Sequence, residues 1–342
     1  MRRLNRHLAA SAAALATLAV AGAATAGDKE VRRQDSFGGS CVKCELSGRN
    51  LRGARIVSAN FSGANMVGVI LREAKLHASV FVSADLTKAD LTESAMTGAN
   101  FSGANLTSAR ARASEANGVV FKSANMTHID FAESEATGAV FSGAILVGGN
   151  LRSITIRGAT FSQADLTKAV LNDMEGAGSV FERAILRYAS FKSAELQGAN
   201  FSRVDARGAV FNDADMTGAA LVHGQFPQAS FRSADLTGAN LADANFHGAD
   251  FRGADLSHAN LARADLSGAK GLTQDQLDEA CADQRTRVPP GLTAKACGGA
   301  RFIYRQHTKP VMRFVPAVPP APAPPPAPPA PPAPRYLVSK VN

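Results

Sequence analysis

Tryptophan is absent from this chain of 342 residues and tyrosine occurs only three times, whereas glycine occurs thirty times. A length that could hold two or three ordinary domains therefore lacks the large rings that dominate conventional globular cores. Long apolar runs are also missing: after the N-terminal segment no stretch reaches the ~18 apolar residues that a membrane-spanning helix requires. Acidic residues are missing from residues 284 to 342, which hold nine basic residues between Arg285 and Lys340. The body is balanced, with 21 basic and 21 acidic residues between 46 and 270, so the formal net charge of +8 belongs to the ends.

The N-terminal segment carries Arg2, Arg3 and Arg6, then a small, apolar run from Leu8 to Ala24, then Ala24-Thr25-Ala26 as an A-x-A cleavage site. Residues 1–26 read as a signal peptide, which predicts a periplasmic or extracellular protein. The alternative, a retained membrane anchor, meets an Ala-dominated run that is short for a bilayer core.

What the chain does have is a period of five. Large apolar residues recur from Leu46 to Leu266 at 45 positions without insertion or deletion, and forty of them are Leu, Phe, Met or Ile. The exceptions are Ala111, Ala116, Ala136, Gly176 and Ala206, and the residue two before each centre is Ala in 30 of the 45 pentads. Alternation of Ala and a large residue with polar ones is the two-residue period of a strand with one buried side. A Gly or small polar residue then turns the chain. Strands this short and this many cannot form a flat sheet, so the chain must wind and stack coil on coil.

A second period sets the size of a coil. Phe61, Phe81, Phe101, Phe121, Phe141, Phe161, Phe181 and Phe201 fall at every twentieth position, which makes four pentads one turn and predicts one interior column of rings. Phe191, Phe211, Phe231 and Phe251 keep the spacing two pentads away, on the opposite side. A narrow interior predicts one bulky side at a time, faced by smaller residues. At Met174-Glu175-Gly176 the small and large residues trade places, which conserves volume. Ala116, Ala136 and Gly176 share one face and predict a thinner wall or shallow groove there.

The run from Leu46 to Leu266, with units such as Ala84-Asp85-Leu86-Thr87-Lys88 and Ala234-Asp235-Leu236-Thr237-Gly238, resembles the pentapeptide-repeat family, A-[D/N]-[L/F]-[S/T]-x, over two-thirds of the chain. The resemblance implies an all-β fold: a right-handed quadrilateral β-helix of about eleven coils and roughly 50 Å at ~4.8 Å per coil. The centre residue and the preceding Ala point inward. The expected organisation is 1–26 signal peptide, 27–45 N-terminal linker and cap, 46–270 β-helix, 271–298 capping helix and disulfide loop, and 299–342 basic Pro/Ala-rich tail.

Both ends need caps against edge-to-edge association. Thr273-Gln274-Asp275-Gln276 is a capping box that predicts a short helix over about 273–283. Four cysteines, two at each end, predict local pairing in an oxidising compartment: Cys281 with Cys297, and Cys41 with Cys44. The first pair closes a loop worth about 3 kcal/mol by chain entropy, and its spacing is similar to the C-terminal segment of exported proteobacterial members. Redox or metal work is the alternative for Cys41 and Cys44. Beyond them, residues 316–334 are almost wholly Pro and Ala, an extended spacer. Arg301, Arg305, Lys309 and Arg313 are candidate contacts to an anionic surface, the bland alternative being a solvated tail.

No nucleophile, base and orienting group converge in the pattern, and no metal-ligand cluster stands out, so an enzyme is not expected and no cofactor is called for. His77, His128, His223, His247 and His258 fall at different places in the coil. Asp residues before the centres, such as Asp85, Asp90, Asp165 and Asp250, take the outward position. Asp215, Asp235 and Asp255 predict a short acidic ladder balanced by Arg232 and Arg252. The expected function is a non-enzymatic exported scaffold or interaction rod, with an unidentified protein or anionic envelope component as partner and dimerisation left open. No nucleic acid is expected. The resemblance also implies an alternative, a gyrase/topoisomerase-binding DNA mimic of the cytoplasmic kind, which calls for an acidic rod inside the cell.

Overall fold

The computed structural model describes residues 39–296. Between Ser40 and Lys270 the backbone pairs in parallel with the residue twenty positions on, as in Asn60 with Val80 and Val80 with Asn100. Four such ladders run along four faces: Ser40 to Asn260 on the first, Glu45 to Asp265 on the second, Asn50 to Lys270 on the third, and Arg55 to Asp255 on the fourth.

Why five residues suffice for a side follows from where each backbone N–H goes. Around Phe61, the Asn60 amide donates to the Gly39 carbonyl at 2.9 Å, Phe61 to Val80 at 2.7 Å and Gly63 to Val82 at 2.8 Å, all between coils. Ala64 donates to the Phe61 carbonyl at 3.0 Å and closes the turn. The fifth amide, Ser62, donates to the side-chain Oδ1 of Asn60 at 3.0 Å. All five amides are satisfied. The Asp or Asn before each centre is thus an Asx cap on its own turn, repeated at Thr87 with Asp85, 3.0 Å, and Ser102 with Asn100, 2.9 Å. This corrects the purely outward reading of these residues, since Asp90 and Asp250 fold back over the turn and are buried, each 7% exposed.

The corner residue two after each centre has positive φ. Glycine holds that place with φ near +65°, as at Gly63 and Gly98 (+68°), but Ala113 (+53°), Lys168 (+60°) and Tyr188 (+57°) adopt it as well. Large side chains stand there because they project into solvent at the corner.

Inside, the rings from Phe61 to Phe201 stack with centroids 4.4–5.3 Å apart. Phe191, Phe211, Phe231 and Phe251 stack on the opposite side, 5.0–5.3 Å apart. Phe226 and Phe246 make a third stack at 5.1 Å. The bulky sides are not exclusive, which corrects the expectation of one at a time. Phe191 meets Phe181 and Phe201 edge-on at 5.7 and 5.9 Å, and Phe131 meets Phe121 edge-on at 5.9 Å. The small centres sit beside these crowded coils: Ala136 follows Phe131 in its coil, Ala206 lies between Phe201 and Phe211, Ala111 lies one coil before Phe131, and all are buried. At Gly176 the Met174 methyl fills the space, 2.2 Å from where a Cβ would lie. These residues compensate interior volume, and at Gly176 the thinner wall expected there is filled from within by Met174.

At the C-terminal end the register lengthens, Asn260 pairing with Cys281 and Asp265 with Arg287. The insertion is helix α1, Gln274–Glu279, shorter than the 273–283 expected, with Thr273 and Gln276 forming the capping box. It stops because Ala280 turns extended and Cys281 rejoins the ladder, its amide bonded to the Ala259 carbonyl at 2.7 Å. Gln276 Nε2 donates to the Phe251 and Ala254 carbonyls at 3.1 and 2.7 Å, so α1 covers edge groups left where the fourth ladder ends. No helix among the described residues is long and apolar enough to cross a membrane.

Candidate interaction faces

Because inward residues are consumed by packing, chemistry is left to the outward ladders, and the four differ. The fourth carries Glu115, Glu135, Glu175, Glu195, Asp215, Asp235 and Asp255, interrupted only by Thr155, one residue per coil. Residue type alone singles out only the last three, Asp215, Asp235 and Asp255. A repeat of twenty mixes Glu with Asp at this position, and the full run emerges when the ladder is followed by register instead of by residue type.

The partners of these carboxylates are mainly neutral. Asp215 accepts from Gln197 Nε2 at 2.6 Å, from the Thr217 hydroxyl at 2.6 Å and from the Thr217 amide at 3.0 Å. Asp235 accepts from the Thr237 amide and Asp255 from the Ser257 amide, each at 2.8 Å. Donation from Ser257, side chain and backbone, holds the Asp255 carboxyl below its ordinary range. Among the described residues the cation paired with this ladder is Arg157, 3.0 Å from Glu175.

Arg232 and Arg252, expected to balance the ladder, do not reach it. Both turn to Asp250 on the third face, each at 2.6 Å. The hydrogen bond from Arg252 is the main cause, with that from Arg232 adding to it, of a carboxyl held far below the usual aspartate range. The acidic ladder is therefore left without their charge.

Where the third and fourth faces meet, ion pairs recur one position beyond a full coil: Arg52–Glu73 at 2.6 Å, Arg72–Glu93 at 3.6 Å and Arg152–Asp173 at 3.5 Å. All are exposed, and each is worth about 0–1 kcal/mol. On the second face a shallow depression is lined by Arg203, Asp205, Arg207, Gln225, Pro227 and His247, among others. Its polar groups largely engage neighbours: Arg203 pairs with Glu182 at 3.2 Å, Asp205 with Arg187 at 2.6 Å, and Asn245 donates to Gln225 at 3.0 Å.

The remaining candidates separate cleanly. Cys41 and Cys44 are joined, S–S 2.04 Å, at the start of the first ladder. Cys281 lies in the ladder beside Asn260, whereas Cys297, its expected partner, and Arg301, Arg305, Lys309 and Arg313 lie outside the described residues. The residues of the signal peptide and the Pro/Ala-rich tail also lie outside them. The histidines are dispersed: His128 covers Gly148, its Nδ1 2.7 Å from where a Cβ would sit, and His247 contacts the Ser267 hydroxyl at 3.0 Å. Among the described residues no three His, Cys, Asp or Glu side chains are placed to hold a metal ion.

The sequence profile described as pentapeptide repeats matches residues 40–77, 84–173 and 177–268 in overlapping stretches. No curated protein matches the chain. Among solved structures, HetL, a pentapeptide repeat protein involved in heterocyst differentiation regulation from the cyanobacterium Nostoc sp. strain PCC 7120, is 25% identical. The match covers 66% of this chain and 90% of that one, with a TM-score of 0.33. A pentapeptide repeat protein of the Arabidopsis thaliana thylakoid lumen is 24% identical over 44% of this chain and 79% of that one, TM-score 0.22. QnrB1, a plasmid-mediated fluoroquinolone resistance protein, is 18% identical over 74% and 91%, TM-score 0.20.

Proposed function

The chain belongs to the pentapeptide-repeat family, and from that premise we propose that it is a non-enzymatic interaction rod, exported from the cytoplasm, whose fourth face binds a basic protein surface. On this reading the rod is a right-handed quadrilateral β-helix of about eleven coils at ~4.8 Å each, closed at its C-terminal end by α1. The basic tail, including Arg301, Arg305, Lys309 and Arg313, adds contact to an anionic envelope component.

The observation that carries the reading is the fourth ladder. Seven carboxylates over eight consecutive coils, four of them bonded by Thr, Ser or Gln and one matched by an Arg, form a line of negative charge on a regular backbone. Rigid, pre-ordered charge steers a complementary partner at little entropic cost. A pull-down from envelope extract at low and high salt tests it, comparing the intact chain with Glu195→Gln/Asp215→Asn/Asp235→Asn and with a chain ending at Gly298. Loss of a basic partner from the triple variant supports the face, and salt-dependent loss of envelope material from the truncated chain supports the tail. Undiminished capture by the triple variant, at either salt, sinks the fourth-face reading.

The same ladder favours one second reading, the topoisomerase-binding DNA mimic, because a line of charge with a regular rise imitates a phosphate strand. The rod's even balance of 21 basic and 21 acidic residues over 46–270 speaks against it. Cell fractionation with and without residues 1–26 separates the two: uncleaved protein retained in the cytosol removes the exported reading.

A further inference from the structure

The first face contrasts with the fourth: no residue of its ladder from Ser40 to Asn260 carries a charge. The other three ladders all do, through Asp85, Asp165 and Asp205 on the second, Asp90, Arg110 and Asp130 on the third, and the acids of the fourth. Apolar side chains gather on the uncharged face. Val80, Val120, Val140 and Val180 are partly buried in its ladder, and Val42 and Val57, 47% and 37% exposed, stand at its two corners near the N-terminal end. At its corner with the fourth face, Gly98, Gly118, Gly138, Gly158 and Gly178 have open space where a Cβ would stand, beside Thr97, Asn117, Thr137, Arg157 and Ala177. The rim charges over this stretch are Lys43, Lys122, Arg157, Glu182 and Arg183, of which Arg157 is bonded to Glu175 and Glu182 to Arg203.

We propose that the first face, from Val42 to Val180, is a self-association surface that packs against the same face of a second copy of this chain. A two-fold axis brings a face against itself, so a face of one sign meets like charge, and a face of mixed sign pairs well only in the register that opposes unlike charges. An uncharged ladder is the one composition that escapes this repulsion without needing a particular register. Glycine at the positive-φ position of this corner from 98 to 178 leaves room there for the partner's sheet at the ~10 Å spacing of stacked sheets. The seven rises of ~4.8 Å between its eight coils make a strip about 34 Å long. With a width of roughly 15 Å this buries about 1,000 Å² over both partners, the lower bound for a specific interface. An interface at this lower bound is expected to give a weak, reversible dimer.

The test is sedimentation equilibrium of the full mature chain from about 5 to 200 μM, at 0.1 and 0.5 M salt, against Val120→Asp/Val140→Asp. Aspartate is the residue this chain already uses at the same pentad position, at Asp85 and Asp235, so the turn accepts it and a thermal melt verifies the fold. The matched control is Val170→Asp/Val210→Asp on the third face. The expected result is a monomer–dimer equilibrium that persists at high salt, weakened at least tenfold by the first pair and unmoved by the second. A chain monomeric throughout the range overturns the proposal, as does equal weakening by both pairs, or dimerisation indifferent to Val120 and Val140. Should the Asp pair melt early, Val120→Asn/Val140→Asn, copying Asn100, provides the same comparison with a smaller loss.

Discussion

The methyl group of Met174 occupies the space that a side chain at Gly176 requires, 2.2 Å from the position of its Cβ, with Leu196 at 3.3 Å beyond. Two neighbouring inward positions have exchanged sizes, and the interior is unchanged in volume. Restoring the repeat at one position alone should therefore harm it. Gly176→Leu is expected to destabilise by about 1–3 kcal/mol through overpacking. Met174→Ala/Gly176→Leu, which restores the ordinary pentad, should return to within about 1 kcal/mol of the parent. Urea unfolding of the two variants and of Met174→Ala completes the cycle, and additivity of the single changes would show that the two sites are not coupled.

The Asx caps have a separable contribution. Asp85 accepts from the Thr87 amide at 3.0 Å and from its hydroxyl, so Asp85→Ala strands a backbone donor. A loss of about 1 kcal/mol is expected, and Asp85→Asn should recover most of it. Equal losses from both substitutions would mean that charge, not turn capping, matters there.

Corner strain gives a prediction of opposite signs. Ala113, φ +53°, bears the left-handed penalty of roughly 1–2 kcal/mol, whereas glycine brings about 0.5–1 kcal/mol of unfolded-state entropy. Ala113→Gly is thus expected to stabilise by up to about 1 kcal/mol. Gly98→Ala, at φ +68° with nothing near its Cβ position, should destabilise by a similar amount from backbone strain alone. Thermal melts of the two variants settle the matter by their direction.

Acid sensitivity should trace to Asp250. Its carboxyl is held below the ordinary value of 3.8 by hydrogen bonds from Arg252 and Arg232. A depressed folded pKa means stability that is fully present above the unfolded value and lost as pH falls from about 4 through the lower folded value. Asp250→Asn is expected to cost about 1–2 kcal/mol at pH 7 and to flatten the decline in stability between pH 4 and 2. A variant with the same acid profile as the parent would remove Asp250 as its source.

Much of this architecture is legible in the residue order because the interior leaves little choice. Phe61 and its successors recur at every twentieth position, and the structure stacks rings of that spacing, since each coil places the same residue of the next one directly above. Outward residues follow no such rule. Arg232 stands almost midway along the chain between Asp215 and Asp250, yet it bonds only the second. The separation in sequence is nearly the same; the corner between them decides which carboxylate a guanidinium meets. Helix α1 stops at Glu279, short of what its pattern allows, because edge groups of the last coil recapture the chain at Cys281.

Sequence by itself determined the coil: five residues to a side, twenty to a turn, and which side chains are withdrawn from water, because a narrow apolar interior tolerates only a strict periodic choice of size. The tertiary structure alone decided which outward residues meet around corners and which fold back on their turns. It turned Asp90 and Asp250 back onto their turns and drew Arg232 and Arg252 to Asp250, which leaves the line from Glu115 to Asp255 largely uncompensated. Those relations depend on distances across coils and around corners, where geometry, not the order of residues, sets which charges can meet.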